Sequence, residues 1–142
     1  IAASIGLAQL QRYPGMLKRR REIIARYDSA FEKLGLILPR HFHGEYISSG
    51  HLYPLRFPGI SEKKRNWMIE MLKERGIPAN VHYKPLPLMT AYRELGYDWR
   101  DYPNAMAQYE NEISLPLHSR LSTRDVERIC GAVAAVFREV SE

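Results

Sequence analysis

The segment Asn80-Val81-His82-Tyr83-Lys84-Pro85-Leu86-Pro87 gathers the side chains best suited to hold an oxygen-rich anion. A strand end would deliver an imidazole, a phenol and an ammonium into a loop stiffened by proline. His82 and Tyr83 can both donate to and accept from hydroxyls, while Lys84 can meet a phosphate. From spacing alone, the simpler reading is a strand-end loop in which Tyr83 packs and His82 is solvated.

Other chemistry is thinner. His41 and His43 fall on one side of an extended stretch, with His51 nearby, but a zinc site would need a further ligand and a supporting shell. A solvated loop is the expectation there, and no metal site is assigned. The single cysteine, Cys130, excludes an internal disulfide framework. It sits in Ile129-Cys130-Gly131-Ala132-Val133 without basic neighbours to lower its pKa, so it reads as a small buried hydrophobe. A reducing compartment, the cytoplasm, is the matching expectation. Gly15, Gly44, Gly50 and Gly59 are too far apart for a phosphate-binding glycine loop. Lys18-Arg19-Arg20-Arg21 supplies much of the net charge of +5, from 21 Lys and Arg against 16 Asp and Glu. Opposite it on the same helix lie Ile23, Ile24 and Tyr27, so the run reads as a solvated face. No aromatic residue interleaves it, and nucleic acid is not expected as a partner.

The elements that must position these residues follow from periodicity and punctuation. A chain of 142 residues, 45% apolar and 26% charged, suits one globular domain with a core. No apolar run reaches membrane-spanning length, and no signal-peptide succession opens the chain, so no membrane partner is expected. Residues 1–10 are small and apolar nearly all round, which predicts a buried helix without a cap. Tyr13-Pro14-Gly15 is expected to break that helix. A second helix over 16–34 carries Leu17, Ile23, Ile24, Tyr27, Ala30, Phe31 and Leu34 inward and stops at Gly35. Residues 36–39 and 51–57 read as extended segments with a polar loop between them, although Pro54 demands an edge or a bulge. Ser61 caps a helix to Arg75, with Trp67, Met68, Met71 and Leu72 inward, closed by Gly76 and Pro78. A short strand over 77–83 leads into the proline loop, and a brief helix over 88–95 follows. Pro103 opens another helix, and residues 113–117 form a further extended segment. Ser122 or Thr123 caps a final helix carrying Val126, Ile129, Val133, Val136, Phe137 and Val140. Helices alternating with about three short strands make an α/β unit.

An ordered set of matches then identifies a resemblance. Ile1-Ala2-Ala3-Ser4-Ile5-Gly6-Leu7-Ala8-Gln9-Leu10, Arg19-Arg20-Arg21-Glu22-Ile23 and Ala25-Arg26-Tyr27 open it. His51-Leu52-Tyr53, Leu72-Lys73-Glu74-Arg75-Gly76-Ile77, Val81-His82-Tyr83 with Pro85-Leu86, and Ala91-Tyr92-Arg93-Glu94-Leu95-Gly96-Tyr97 follow. Ser114-Leu115-Pro116-Leu117-His118, Leu121-Ser122 and Asp125-Val126 complete it. In this order the chain resembles the DegT/DnrJ/EryC1/StrS aminotransferases.

The resemblance implies the C-terminal small domain of a fold-type-I pyridoxal-phosphate aminotransferase, a short, mostly antiparallel sheet packed with helices. Residues 1–35 would be the helical link from a large domain and residues 36–142 the α/β small domain. The implied activity moves an amino group, usually from glutamate, onto a keto group of a nucleotide-linked sugar. That chemistry needs a lysine to carry the cofactor and shuttle a proton, and a carboxylate to keep the ring nitrogen protonated. In the family these lie upstream of this segment. No catalytic or cofactor-binding residue maps onto the chain, no pyridoxal phosphate is expected on it alone, and Lys84 is not promoted to that role.

His82, Tyr83 and Pro85 are implied to border the substrate, with His51 and Tyr53 as further contacts of the same cleft. Pro87 departs from the family, where many relatives carry a histidine, and His118 is expected to make a local turn contact. A homodimer of the intact enzyme is implied. Two other uses of the chain stay open from sequence: a stand-alone sugar-nucleotide-binding module, and a basic nucleic-acid-interaction domain.

Overall fold

A computed structural model describes residues 1–141. Helix α1 (Ala2–Phe31) leads to a 3-10 turn (Glu32–Leu34), then β1 (Phe42–His43), β2 (Tyr46–Ile47) and β3 (Tyr53–Arg56). Next come α2 (Glu62–Glu74), a 3-10 turn (Leu86–Leu88), α3 (Thr90–Glu94) and a 3-10 turn (Trp99–Asp101). The chain finishes with α4 (Pro103–Asn111), β4 (Glu112–Leu115) and α5 (Thr123–Ser141).

The core gathers around the antiparallel pair β3 and β4, with Tyr53 opposite Leu115, Leu55 opposite Ile113 and Arg56 opposite Glu112. Alternate side chains of a strand point to opposite faces. Tyr53, Leu55, Ile113 and Leu115 therefore share one face and are buried against the helices. On that side α1 contributes Ile23, Ile24, Tyr27 and Phe31, and α5 contributes Val126, Ile129, Val133, Val136 and Val140. The α5 spacing alternates three and four residues, which keeps one stripe facing the core. β3 is held between β4 and a single bridge from Ile37 to Arg56, and β4 between β3 and a bridge from Asn80 to Ser114.

The helix ends follow local chemistry. Ser61 accepts from the Lys64 amide at the start of α2. At α5, Ser122 Oγ accepts the Asp125 amide while Asp125 accepts from the Ser122 amide and hydroxyl, a reciprocal capping box. The α2 terminus turns through Gly76 at φ 70°. Its amide meets the Lys73 carbonyl and the Ile77 amide meets that of Leu72, the Schellman arrangement, with Leu72 and Ile77 both buried. That turn aims the chain from α2 toward residues 80–87.

Several expectations are corrected. Residues 2–31 form one helix running through Pro14, not two helices broken at residues 13–15. Pro14 is exposed, so the carbonyl that loses its helical partner there can turn to water. Within this chain, residues 1–10 are exposed along their whole length. The polar stretch over 40–50 holds the β1–β2 hairpin, with Phe42 opposite Ile47. The extended segment expected at 36–39 and the strand expected at 77–83 each pair with the sheet through a single bridge. In α2, Trp67 faces out, Met71 is half-buried and Arg65 takes an inward position at 2% exposure. Its guanidinium lies 4.8 Å above the Tyr109 ring, and that contact lets a cation occupy the stripe.

Leu55 is fully buried at the centre of the apolar face. Leu55→Ala should cost about 2–5 kcal/mol of stability, read from the urea midpoint at constant m-value. A loss below about 1 kcal/mol would show that this face is not the core.

Candidate functional site

The opposite face of β4 carries Glu112 and Ser114, and these two polar side chains are as buried as their apolar neighbours. Over them lies a pocket of about 210 Å³. The segment leaving the Asn80 bridge supplies His82, Tyr83 and Pro85; α4 supplies Ala105, Gln108 and Tyr109; Glu112 completes the wall.

Each wall has an evident support. Asn80 and Ser114 exchange backbone hydrogen bonds of 3.3 and 2.7 Å, and Asn80 Oδ1 accepts the Val81 amide at 2.8 Å. The His82 amide then donates to Glu112 Oε2 at 2.9 Å, and the Ser114 hydroxyl donates to Glu112 Oε1. The His82 and Tyr83 rings meet edge to face at 4.7 Å, and Tyr83 stands 72% exposed. The loop ends in the 3-10 turn closed by Leu88 N–H to the Pro85 carbonyl. On α4, Arg56 fixes the helix by donating to Asn111 Oδ1 and the Ala107 carbonyl. Tyr109 donates to Glu62 Oε1 at 2.8 Å with Arg65 against its ring.

Burial raises the Glu112 carboxyl above its ordinary range, partly offset by the Ser114 hydroxyl, the His82 amide and the charges of His82 and Arg65. An adjoining pocket of about 340 Å³ shares Pro85 and Ala105 and is faced by Tyr92, Tyr97 and Tyr102. The arrangement can therefore receive a small polar molecule beside an aromatic surface. Among the pocket's walls there is no lysine. Lys84 is exposed, and Lys64 donates to the Val140 carbonyl. Pyridoxal phosphate held covalently does not fit these residues.

The candidates named from sequence thus separate. His82, Tyr83 and Pro85 come together in one pocket. His51 is exposed and forms no part of its wall. Tyr53 lies fully buried on the apolar face of the sheet, away from the pocket, so as a cleft contact it is corrected. Its hydroxyl donates to Asp28 at 2.7 Å, and its ring packs 4.9 Å from Tyr27 and 5.8 Å from that of His41. Pro87 is buried and faces the aromatic pocket. The turn contact at His118 is made by its carbonyl, which accepts the Leu121 amide. Burial pushes the Cys130 thiol up to about 11. No metal-holding cluster occurs among the described residues. Gln108, Tyr109, Arg65 and Glu112 were not singled out from sequence. The one signal was the alternation Glu112-Ile113-Ser114-Leu115, which puts a carboxylate and a hydroxyl on one face of a strand.

The fold is an α/β domain with an apolar sheet face toward its helices and a polar face toward a small pocket. The model of the DegT/DnrJ/EryC1/StrS aminotransferase family matches residues 1–134, and the chain belongs to that family. It is 39% identical to the spore coat polysaccharide biosynthesis protein SpsC of Bacillus subtilis, over 97% of this chain and 36% of that protein. It is 33% identical to a UDP-4-amino-4,6-dideoxy-N-acetyl-beta-L-altrosamine transaminase of Helicobacter pylori, covering 96% of this chain and 36% of the relative. Among solved structures it matches the PLP form of a putative sugar aminotransferase, Spr1654 from Streptococcus pneumoniae. That match has a TM-score of 0.95 and 48% identity over 97% of this chain and 35% of that one. The chain thus spans little more than a third of the length of these relatives.

The buried His41 beside Tyr53 yields a pH prediction. Burial lowers its pKa, opposed in part by the Asp28 charge. Between that lowered value and about 6.5 the unfolded chain binds more protons than the folded one. The contribution of His41 is therefore present above about pH 6.5 and lost as pH falls. His41→Phe, which keeps a ring on Tyr53, should narrow or reverse its stability deficit against wild type between pH 7 and pH 5, read from urea midpoints. A constant difference would sink the idea; the opposing slope from Glu112 is common to both proteins and cancels.

Proposed function

We propose that this chain is the substrate-facing, C-terminal small domain of a pyridoxal-phosphate aminotransferase acting on a nucleotide-linked keto sugar, with glutamate as amino donor. The observation that carries the reading is the placement of His82, Tyr83 and Pro85 in the wall of one pocket, together with Gln108, Tyr109 and Glu112, in a chain belonging to this family. The H. pylori relative named for a UDP-linked amino sugar supports the substrate class. The PLP-form relative supports the cofactor.

On this reading the division of labour is physical. The imidazole of His82 and the phenol of Tyr83 hydrogen-bond sugar hydroxyls or phosphate oxygens, and Pro85 limits the loop's freedom. The lysine carrying the cofactor and the carboxylate facing its ring belong to another part of the enzyme, so these 142 residues alone do not transaminate. The intact enzyme is a cytoplasmic homodimer, with neither nucleic acid nor membrane as partner. No helix among the described residues is long and apolar enough to cross a membrane. Part of the basic run also has an internal use: Arg19 donates twice to the Leu121 carbonyl and pairs with Glu22.

Steady-state kinetics of the full-length polypeptide test the reading. His82→Ala and Tyr83→Phe should each raise KM for the nucleotide-linked keto sugar about tenfold, the size of one lost polar contact. The half-reaction with glutamate should be unchanged. Equal effects on both half-reactions, or none on either, would contradict a substrate-facing role.

A further inference from the structure

A buried carboxylate is costly to keep, and Glu112 is only 1% exposed. Both of its oxygens are occupied, one by the Ser114 hydroxyl and the other by the His82 amide. Ser114 lies on the same strand two residues away, so that bond orients the carboxylate without tying it to anything remote. The bond to His82 spans thirty residues and reaches the root of the pocket loop.

Among the described residues, it is the only hydrogen bond made by the backbone of residues 82–84. On either side, the chain is next held by the Asn80–Ser114 bridge and by the turn at Pro85. A hydrogen bond accepted by a carboxylate is shorter and stronger than one accepted by a neutral group. Arg65, 2% exposed with Nη2 lacking a hydrogen-bond partner, places a balancing charge on the same side of the fold.

We propose that Glu112 is a positioning residue. Its carboxylate pins the His82 backbone so that the imidazole of His82 and the phenol of Tyr83 are presented together to the ligand. The proposal deepens the sugar-nucleotide reading and rests on it for the identity of the ligand. Glu112 sits on a strand paired along its length with β3, so the loop borrows rigidity from the sheet. Neither ring is needed for the pin, which uses only the backbone amide.

The test compares wild type with Glu112→Gln in the full-length polypeptide by two readouts. Hydrogen exchange in a peptide covering residues 80–88 should become at least about tenfold faster, while β3 and α5 keep their wild-type rates. KM for the nucleotide-linked keto sugar should rise about tenfold, with kcat and the KM for glutamate within about twofold. Unchanged exchange at 80–88 overturns the proposal whatever the substrate proves to be. Acceleration throughout the domain also overturns it, because Glu112 would then be merely structural. Faster local exchange with an unchanged sugar KM overturns it as well. If wild type turns over no such sugar, the substrate reading fails by itself, and the exchange readout still decides whether Glu112 pins the loop. Should Glu112→Gln not fold, Ser114→Ala carries the test by freeing one carboxylate oxygen, with shifts of two- to threefold expected in the same directions.

Discussion

Burial of β4 on both faces is the constraint on which the rest of the structure depends. Its four residues are all nearly inaccessible, yet they alternate Glu, Ile, Ser, Leu. A strand cannot choose which neighbours go to which side, because the pleat sends every second residue across. Ile113 and Leu115 therefore commit one face to the helices α1 and α5, and Glu112 and Ser114 commit the other to polar contacts. A register shift of one residue would bury a carboxylate among Ile23, Tyr27 and Val133 and would turn Ile113 toward His82. Core and cleft are consequently specified by the same pairing with β3, and neither can be altered without the other.

The polar face is kept affordable by mutual satisfaction. The carboxylate of Glu112 takes two donors, and Arg56 ties the end of α4 to the sheet through Asn111 and Ala107. Arg65 spreads its charge over Tyr109 and lies 3.7 Å from Glu62. Hydrogen bonds in such a network fix directions that an equal area of aliphatic contact does not. The cleft's polar side thus has defined geometry even though one of its rings, Tyr83, projects into solvent.

Much of this was legible where a signal is local. Ser61, Gly76 and the Ser122–Asp125 pair announce their helix ends because capping depends on adjacent residues, and the α5 stripe reads directly from its spacing. Pro14 misleads because a proline penalises a helix interior without forbidding it where the freed carbonyl is solvated. Trp67, expected inward, faces out, and Arg65 takes an inward position against the aromatic ring of Tyr109, a neighbour forty-four residues away from Arg65. The cleft was half legible. His82, Tyr83 and Pro85 are contiguous and show as a cluster. Tyr53 shares their chemistry, but the parity of its strand sends it to the other face, and that parity is fixed only by pairing with Leu115. Glu112 lay hidden because a carboxylate among apolar residues looks like the exposed half of an edge strand until the loop above it is seen.

Helix α1 has an unequal division of duties. Its last turns, from Ile23 to Phe31, are built into the core, while residues 1–15 touch little of the domain. At 1.5 Å per residue the free portion reaches about 22 Å from its anchorage. Geometry alone sets what such an arm transmits: a tilt of about 5° at the anchored end would displace Ile1 by roughly 2 Å. Arg19, gripping the Leu121 carbonyl, stands where the arm meets the domain, and Pro14 is the position along the arm that has no amide to give the helix.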